Sequence, residues 1–289
     1  MALKAKKPEE MSKRFKMFLY GEAGSGKTTA SIQLPRPYII DTEKGTEQRA
    51  YVKLIAANGG AVLQTANSDN VIAELKSLLT EKHDFRTLVI DPITNIEDDV
   101  IQSASIKYKA DEKEGGDMRV WRDRDKTMRR ITSLVLSLDM NVVVTAHGKI
   151  NYGDNFTKLG TTYDGWKKWP FLFDLVLELV KIGGKRIAKV KKTRMEEFPD
   201  GEEFEWNYAE LAKRLGADNL EREAKPVVLA TTEQVAEIKN LVDTVKLPEG
   251  TVEKWLDKAG VEDFNDMPAE IIVKCIAFVQ KRLEKGSAA

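Results

Sequence analysis

A single cysteine in 289 residues excludes an internal disulfide, so the chain has to be held by its core alone. That residue, Cys275, lies among Ile271, Ile272, Ile276 and Val279 at helical spacing, the surroundings of a buried structural thiol rather than a reactive one. No apolar run approaches the roughly 20 residues that span a bilayer. The opening MALKAKKPEE also lacks the apolar stretch of a signal peptide, so the cytoplasm is the expected location and no membrane partner is expected. Charge of one sign is not in excess either: Lys plus Arg and Asp plus Glu both total 46. No field of the whole molecule draws it onto nucleic acid, and any such contact must come from a local patch. Internal repeats and low-complexity tracts are absent, although KADEKEGGD (109–117) has the charge and glycine content of a mobile loop.

What is present is an alternation of short apolar runs with longer helical patterns from Arg14 onward. It predicts an α/β fold with a mainly parallel sheet. The strand candidates are FKMFLY, PYII, TLVI and NVVVTA, each followed by a polar or glycine-bearing turn, so their carboxyl ends form the edge on which to seek chemistry. DLVLELVK and RIAKVKK flank Ile182, Gly183 and Gly184, which predicts a hairpin and antiparallel strands at the end of the sheet. Pro226, in the aperiodic EREAKPVV, marks a linker. The expected organisation is therefore an N-terminal tail (1–13), a large α/β core (14–215), a linker (216–230) and a three-helix domain (231–285). In that last unit Thr231 and Gln234 have capping-box spacing, Thr251 is read as the cap of a second helix, and Asp266 with Pro268 as the opening of a third.

GEAGSGKT, Gly21 to Thr28, fits GxxxxGK[ST] between a strand pattern and a helix former. Glycine lets backbone wrap closely round phosphates, and amide groups at a helix start face the anion. The nucleotide-binding set is Gly21, Glu22, Ala23, Gly24, Ser25, Gly26, Lys27, Thr28 and Thr29, with Lys27 as the phosphate cation. Asp91, closing TLVI, stands where a Walker B aspartate is expected, so Thr28 and Asp91 are the candidate ligands of Mg²⁺ beside ATP. Pro92 follows Asp91, so the carboxylate that activates water must come from elsewhere. Glu43 in DTEKG is the first choice, with Asp41 and Glu47 as competitors. Thr145 and His147 end the NVVVTA strand and are candidate sensors of the γ-phosphate. No NKxD motif is present to read guanine, and no arginine-rich lid is present to cover two substrates of a small-molecule kinase.

GEAGSGKTT, IIDTEKG, TLVIDP, NVVVTAHGK and KVKKTR, in that order over residues 14–210, resemble the ATPase core of RecA-type recombinases. More closely they resemble phage nucleotide-binding proteins that act as single-strand annealing recombinases, whose compartment would be the cytoplasm of a bacterial host. The resemblance implies a RecA-like P-loop fold, Glu43 as the water-activating glutamate, and His147 as the residue coupling nucleotide to DNA, where bacterial RecA-type proteins carry glutamine. It also implies that Lys192 and Arg194 reach the γ-phosphate of a neighbouring subunit, so that a homo-oligomer or filament shares its ATP sites. An ordinary solvated edge strand is the competing reading of KVKKTR.

The same resemblance puts single-stranded DNA at two loops. One includes Lys107, Lys109, Arg119 and Arg122. The other includes Lys149, Tyr152, Phe156, Lys158, Trp166, Lys167 and Lys168, where cations can track phosphates and aromatic faces can stack bases. For Trp166 and Trp169, burial in the core competes with stacking and is preferred. The helical tail resembles modules appended to phage recombination proteins, so DNA or a single-strand-binding protein are its candidate ligands. A regulatory or assembly ATPase that acts on a protein partner without DNA remains the alternative.

Overall fold

Strand β1 (Lys16–Gly21) is buried along its whole length, with Phe18 and Tyr20 on one face and Met17 and Leu19 on the other. A strand apolar on both sides must be covered on both sides, and this is how the layers arise. In the computed structural model, which describes residues 14–110, 113, 116–152, 157–245 and 247–287, β1 leads through the glycine-rich loop to α1 (Lys27–Ser31). The expected tail, 1–13, and residues 111, 112, 114 and 115 of the expected loop lie outside the described residues.

There follow β2 (Pro37–Asp41), α2 (Arg49–Ala57), β3 (Ala61–Gln64), α3 (Ser68–Thr80), β4 (Thr87–Asp91), α4 (Thr94–Tyr108) and α5 (Met118–Ser137). Next come β5 (Asn141–Tyr152), β6 (Lys158–Tyr163), α6 (Trp169–Leu172), β7 (Leu175–Ile182), β8 (Lys185–Thr193) and β9 (Glu203–Glu205). The remainder is helical: α7 (Tyr208–Leu215), α8 (Ala217–Glu221), α9 (Thr232–Thr244), α10 (Thr251–Ala259) and α11 (Ala269–Ser287).

The sheet runs in the order β3-β2-β4-β5-β1-β7-β8-β9, with β6 paired to β5. All pairings from β3 to β7 are parallel, and β8 and β9 close the edge antiparallel, so the α/β class with antiparallel end strands is as expected. One face packs Phe18, Ile90 and Val144 against α3, α4 and α5, including Leu75, Ile96 and Ile131. The other packs Leu19, Val89 and Val143 against Ala30, Ile55 and the β8–α8 region, including Ala188, Trp206 and Leu220. Register then levels the strand ends: Asp41 pairs with Asp91, and Gly21 with His147. Strand β5 continues past the sheet, and its last residues pair with β6 from Gly148↔Tyr163 outward to form a two-stranded ribbon.

The segment 216–230, read as a linker, carries α8 and is held along the core. Leu220 is buried, Asn141 donates to its carbonyl at 2.7 Å, and Val227 N donates to Leu79 O at 2.8 Å. Helices α9 to α11 share a separate cluster formed by Val235, Ile238, Phe264, Met267, Ile272, Cys275 and Val279. Thr231 and Gln234 make a reciprocal capping box, at 3.2 and 3.0 Å. The other two caps differ from expectation. Gly250, in the left-handed region, precedes α10, while Thr251 is already helical and its hydroxyl donates to Pro248 O. Asp266 caps nothing: it is buried between Arg130 (2.6 and 3.0 Å) and Lys76 (2.9 Å) of the core, because two cations satisfy a desolvated carboxylate better than one helix end. Among the described residues no helix is long and apolar enough to cross a membrane.

Candidate nucleotide site

The loop from β1 to α1 works at close quarters. Gly26 adopts φ +96°, and a Cβ there would collide with the guanidinium of Arg186. Gly148 on β5 lies so near the loop that a Cβ would sit 2.6 Å from the Gly21 carbonyl carbon, so glycine at 148 lets the ribbon strand leave the sheet beside the P-loop. The resulting cleft, about 270 Å³, is lined by Ala23, Gly24, Gly26, Lys27, Thr28 and Thr29 from the loop, and by Glu43, Tyr51, Asp91, Pro92, His147 and Arg186 from elsewhere. Glu22 has an exposed side chain and contributes its carbonyl, which accepts from Ser25 N and Lys27 Nζ, while Ser25 Oγ is buried without a hydrogen-bond partner.

Lys27 Nζ donates to Gly21 O at 2.8 Å and Glu22 O at 3.1 Å. Burial lowers its pKa, against the raising influence of Asp91 and Glu43. Burial dominates at Asp91 as well, pushing its carboxyl up despite hydrogen bonds from Thr145 and Thr28 and the nearby Lys27 charge. Thr28 Oγ1 donates to Asp91 Oδ2 at 2.5 Å, and Thr145 Oγ1 donates to Asp91 Oδ1. Thr28 and Asp91 thus present adjacent oxygen donors with no nitrogen or sulfur among them, a set that suits a hard divalent cation completing its shell with water and phosphate.

The three carboxylates competing for the role of base have different surroundings. Both oxygens of Asp41 are used within its own turn, accepting from the amides of Glu43 (3.1 Å), Gly45 (3.2 Å) and Thr46 (2.9 Å) and from the Thr46 hydroxyl. Glu47 accepts from Gln64 outside the cleft. Glu43 lines the cleft, with Oε1 2.8 Å from His147 Nε2 and 3.4 Å from Asn95 Nδ2. His147 is in turn held at its backbone, its N–H donating to Thr94 Oγ1 at 3.3 Å and its carbonyl accepting from Asp164 N at 2.7 Å.

The remaining candidates lie elsewhere. Because β8 runs antiparallel, its first residues reach the P-loop and its last residues reach the opposite edge of the sheet. Arg194 is on the order of 25 Å along the strand from Arg186, by the usual rise per residue, and so lies far from the P-loop of its own chain. There Lys192 Nζ donates to the carbonyls of Pro170 and Phe173, with its pKa lowered by burial and by Arg194, and Arg194 donates to Phe171 O at 3.0 Å. On the ribbon, Lys149 pairs with Asp164 at 2.7 Å and Tyr152 is exposed; Lys158 occupies β6, and Phe156 lies outside the described residues. Lys167 and Lys168 are exposed, the latter 5.5 Å from the Trp166 ring centroid. Trp166 and Trp169 are buried edge to face, which removes them as base-stacking surfaces.

The residues that sequence reasoning missed are Tyr51, on α2, and Arg186, which shares the cleft through the return of β8. Tyr51 follows Glu43 by eight positions on a helix that turns back over the loop, where its hydroxyl meets Thr29 Oγ1 at 3.3 Å.

Comparison with known proteins agrees with the motif reading. The model of a family described as an AAA domain matches residues 13–197, more than half of the chain. No curated protein matches the sequence. Among solved structures, the crystal structure of the RadB recombinase is similar with a TM-score of 0.43 and 18% identity, covering 66% of this chain and 86% of that one.

Proposed function

This chain belongs to the AAA domain family, and from that premise we propose that it is a Mg²⁺-dependent, RecA-like ATPase that binds and anneals or pairs single-stranded DNA as a homo-oligomer or filament. The observation that carries the reading is the 2.8 Å contact between Glu43 and His147. It ties a carboxylate facing the cleft to the residue at the root of the projecting ribbon. In this reading Lys27 and the loop amides hold the phosphates, and Glu43 takes the proton of the water that attacks the γ-phosphorus. Thr28 and Asp91 are the residues that would hold Mg²⁺, which when bound offsets charge on the phosphate oxygens. When Glu43 takes the water's proton its carboxylate loses its charge and its bond to His147 weakens, so turnover is felt at the root of the ribbon. Lys149, Lys158, Lys167 and Lys168 then supply the phosphate contacts to DNA, with Phe156 as a stacking face.

One observation favours the regulatory alternative, in which nucleotide switches a protein partner. Several candidate DNA cations are neutralised within the chain: Lys149 by Asp164, Lys107 by Asp123 and Arg119 by Asp117. Fluorescence anisotropy of a labelled single strand separates the two readings. With ATP and Mg²⁺ at low salt, the recombinase reading expects saturable binding that is weakly sequence-selective; its absence would transfer the assignment to the regulatory ATPase.

A further inference from the structure

Strand β8 carries five cations, and four of them are accounted for within the fold. Lys185 pairs with Glu205 at 2.6 Å, Lys189 with Glu203 at 2.9 Å and Lys191 with Glu178 at 3.5 Å, while Lys192 donates to two carbonyls. Arg186 is different. Its Nε is buried without a hydrogen-bond partner, and among the described residues no carboxylate pairs with it.

Its position is set by the fold around it. Arg186 pairs with Lys181 across the hairpin, and its carbonyl accepts from Trp206 N at 2.8 Å. The Trp206 indole donates to Ala30 O of α1 at 3.3 Å, so the start of β8 is tied to the helix that follows the P-loop. The side chain then lies against Gly26, where a Cβ would strike Nε, Cδ and Cζ, and it lines the same cleft as Lys27 and Thr28. A guanidinium donor desolvated without a partner is costly, and the cost is offset when an anion accepts from it. Sheet order fixes which side it approaches from. Glu43, Asp91 and His147 come from β2, β4 and β5 on one side of β1, whereas Arg186 comes from β8 on the other.

We propose that Arg186 is a nucleotide-binding residue acting within its own subunit, and that its guanidinium holds the α- and β-phosphates from the side of the P-loop opposite Glu43 and His147. This rests on the reading of the cleft as a nucleoside triphosphate site. It gives Gly26 a second duty: glycine there serves the loop conformation and also leaves room for the arginine stem.

The test is equilibrium binding of ATP and of ADP to the full chain by titration calorimetry, for the wild type, Arg186→Gln and Arg186→Lys. Loss of a charge-assisted contact predicts that Arg186→Gln weakens ATP and ADP by the same factor, about tenfold or more. Arg186→Lys should recover part of the loss, since it keeps the charge but not the planar fork. The melting temperature without nucleotide should match the wild type for at least the lysine variant, which serves if the glutamine variant does not fold. Unchanged affinity for both nucleotides, or a loss confined to ATP, would overturn the assignment. A wild-type chain that binds neither nucleotide would instead remove the nucleotide reading on which it rests.

Discussion

Glu43 Oε1 and His147 Nε2 meet at 2.8 Å across the mouth of the cleft, one carried on the turn after β2 and the other on β5 as it leaves the sheet. Two strands separated by β4 are thereby joined at the level where Gly21 and Asp91 also end.

If Glu43 is the base, Glu43→Gln should retain ATP binding while turnover falls by about 10²- to 10⁴-fold, the range ascribed to a positioned proton acceptor. Asp41→Asn should fail differently, by loosening the turn that its carboxylate holds through three amides and a hydroxyl. Steady-state hydrolysis with parallel binding measurements distinguishes them, and wild-type turnover in Glu43→Gln would exclude the assignment.

Arg194 lies at the end of β8 away from its own P-loop, so if it serves a nucleotide, that nucleotide is bound to another copy of the chain. Arg194→Ala should lower turnover without weakening ATP binding to an isolated subunit. Inactive Lys27→Ala subunits still carry Arg194, and mixing them with Arg194→Ala subunits should restore some activity at mixed interfaces. Absence of rescue at every mixing ratio would argue against shared sites.

Asp266 anchors the helical unit to α3 and α5. Burial alone would raise its pKa, but hydrogen bonds from Arg130 and Lys76 outweigh this and hold the carboxyl below the usual range. A folded pKa below the unfolded one stabilises the fold above about pH 4, and that contribution is lost as pH falls through the folded value. Asp266→Asn should therefore cost about 2 kcal/mol at neutral pH, and the difference from wild type should shrink on acidification. Denaturant melts at two pH values measure this; equal stability at pH 7 would mean the ion pairs hold nothing.

Lys167 and Lys168 are exposed on the turn between the ribbon and α6. If both meet phosphates, replacing them with alanine should weaken single-strand binding across all sequences. It should also reduce the slope of log affinity against log salt by about 1.4, at roughly 0.7 per phosphate on a single strand. An unchanged slope would take these residues out of the interface.

Much of the site was legible because it is local in sequence. The P-loop is one contiguous motif, and Asp91 and His147 each end an apolar run, so placing the runs placed the residues. Strand β3 was not legible: it is four residues long at the sheet edge, with Val62 partly exposed, and offers too little apolar signal to separate from a loop. Arg186 was hidden for another reason. It belongs to a cation-rich strand, and only the antiparallel return of β8 selects which of those cations faces the cleft. Asp266 has the spacing of a cap, but Arg130 lies 136 positions away in sequence, beyond the reach of any local pattern.

If His147 couples nucleotide to DNA, the coupling is read from the ratio of ATP hydrolysis with and without single-stranded DNA. The ratio should be well above one for the wild type and near one for His147→Ala, since the alanine variant lacks the bond that joins Glu43 to the root of the ribbon. A wild type whose hydrolysis ignores single-stranded DNA, or a His147→Ala variant stimulated as strongly as the wild type, would contradict it.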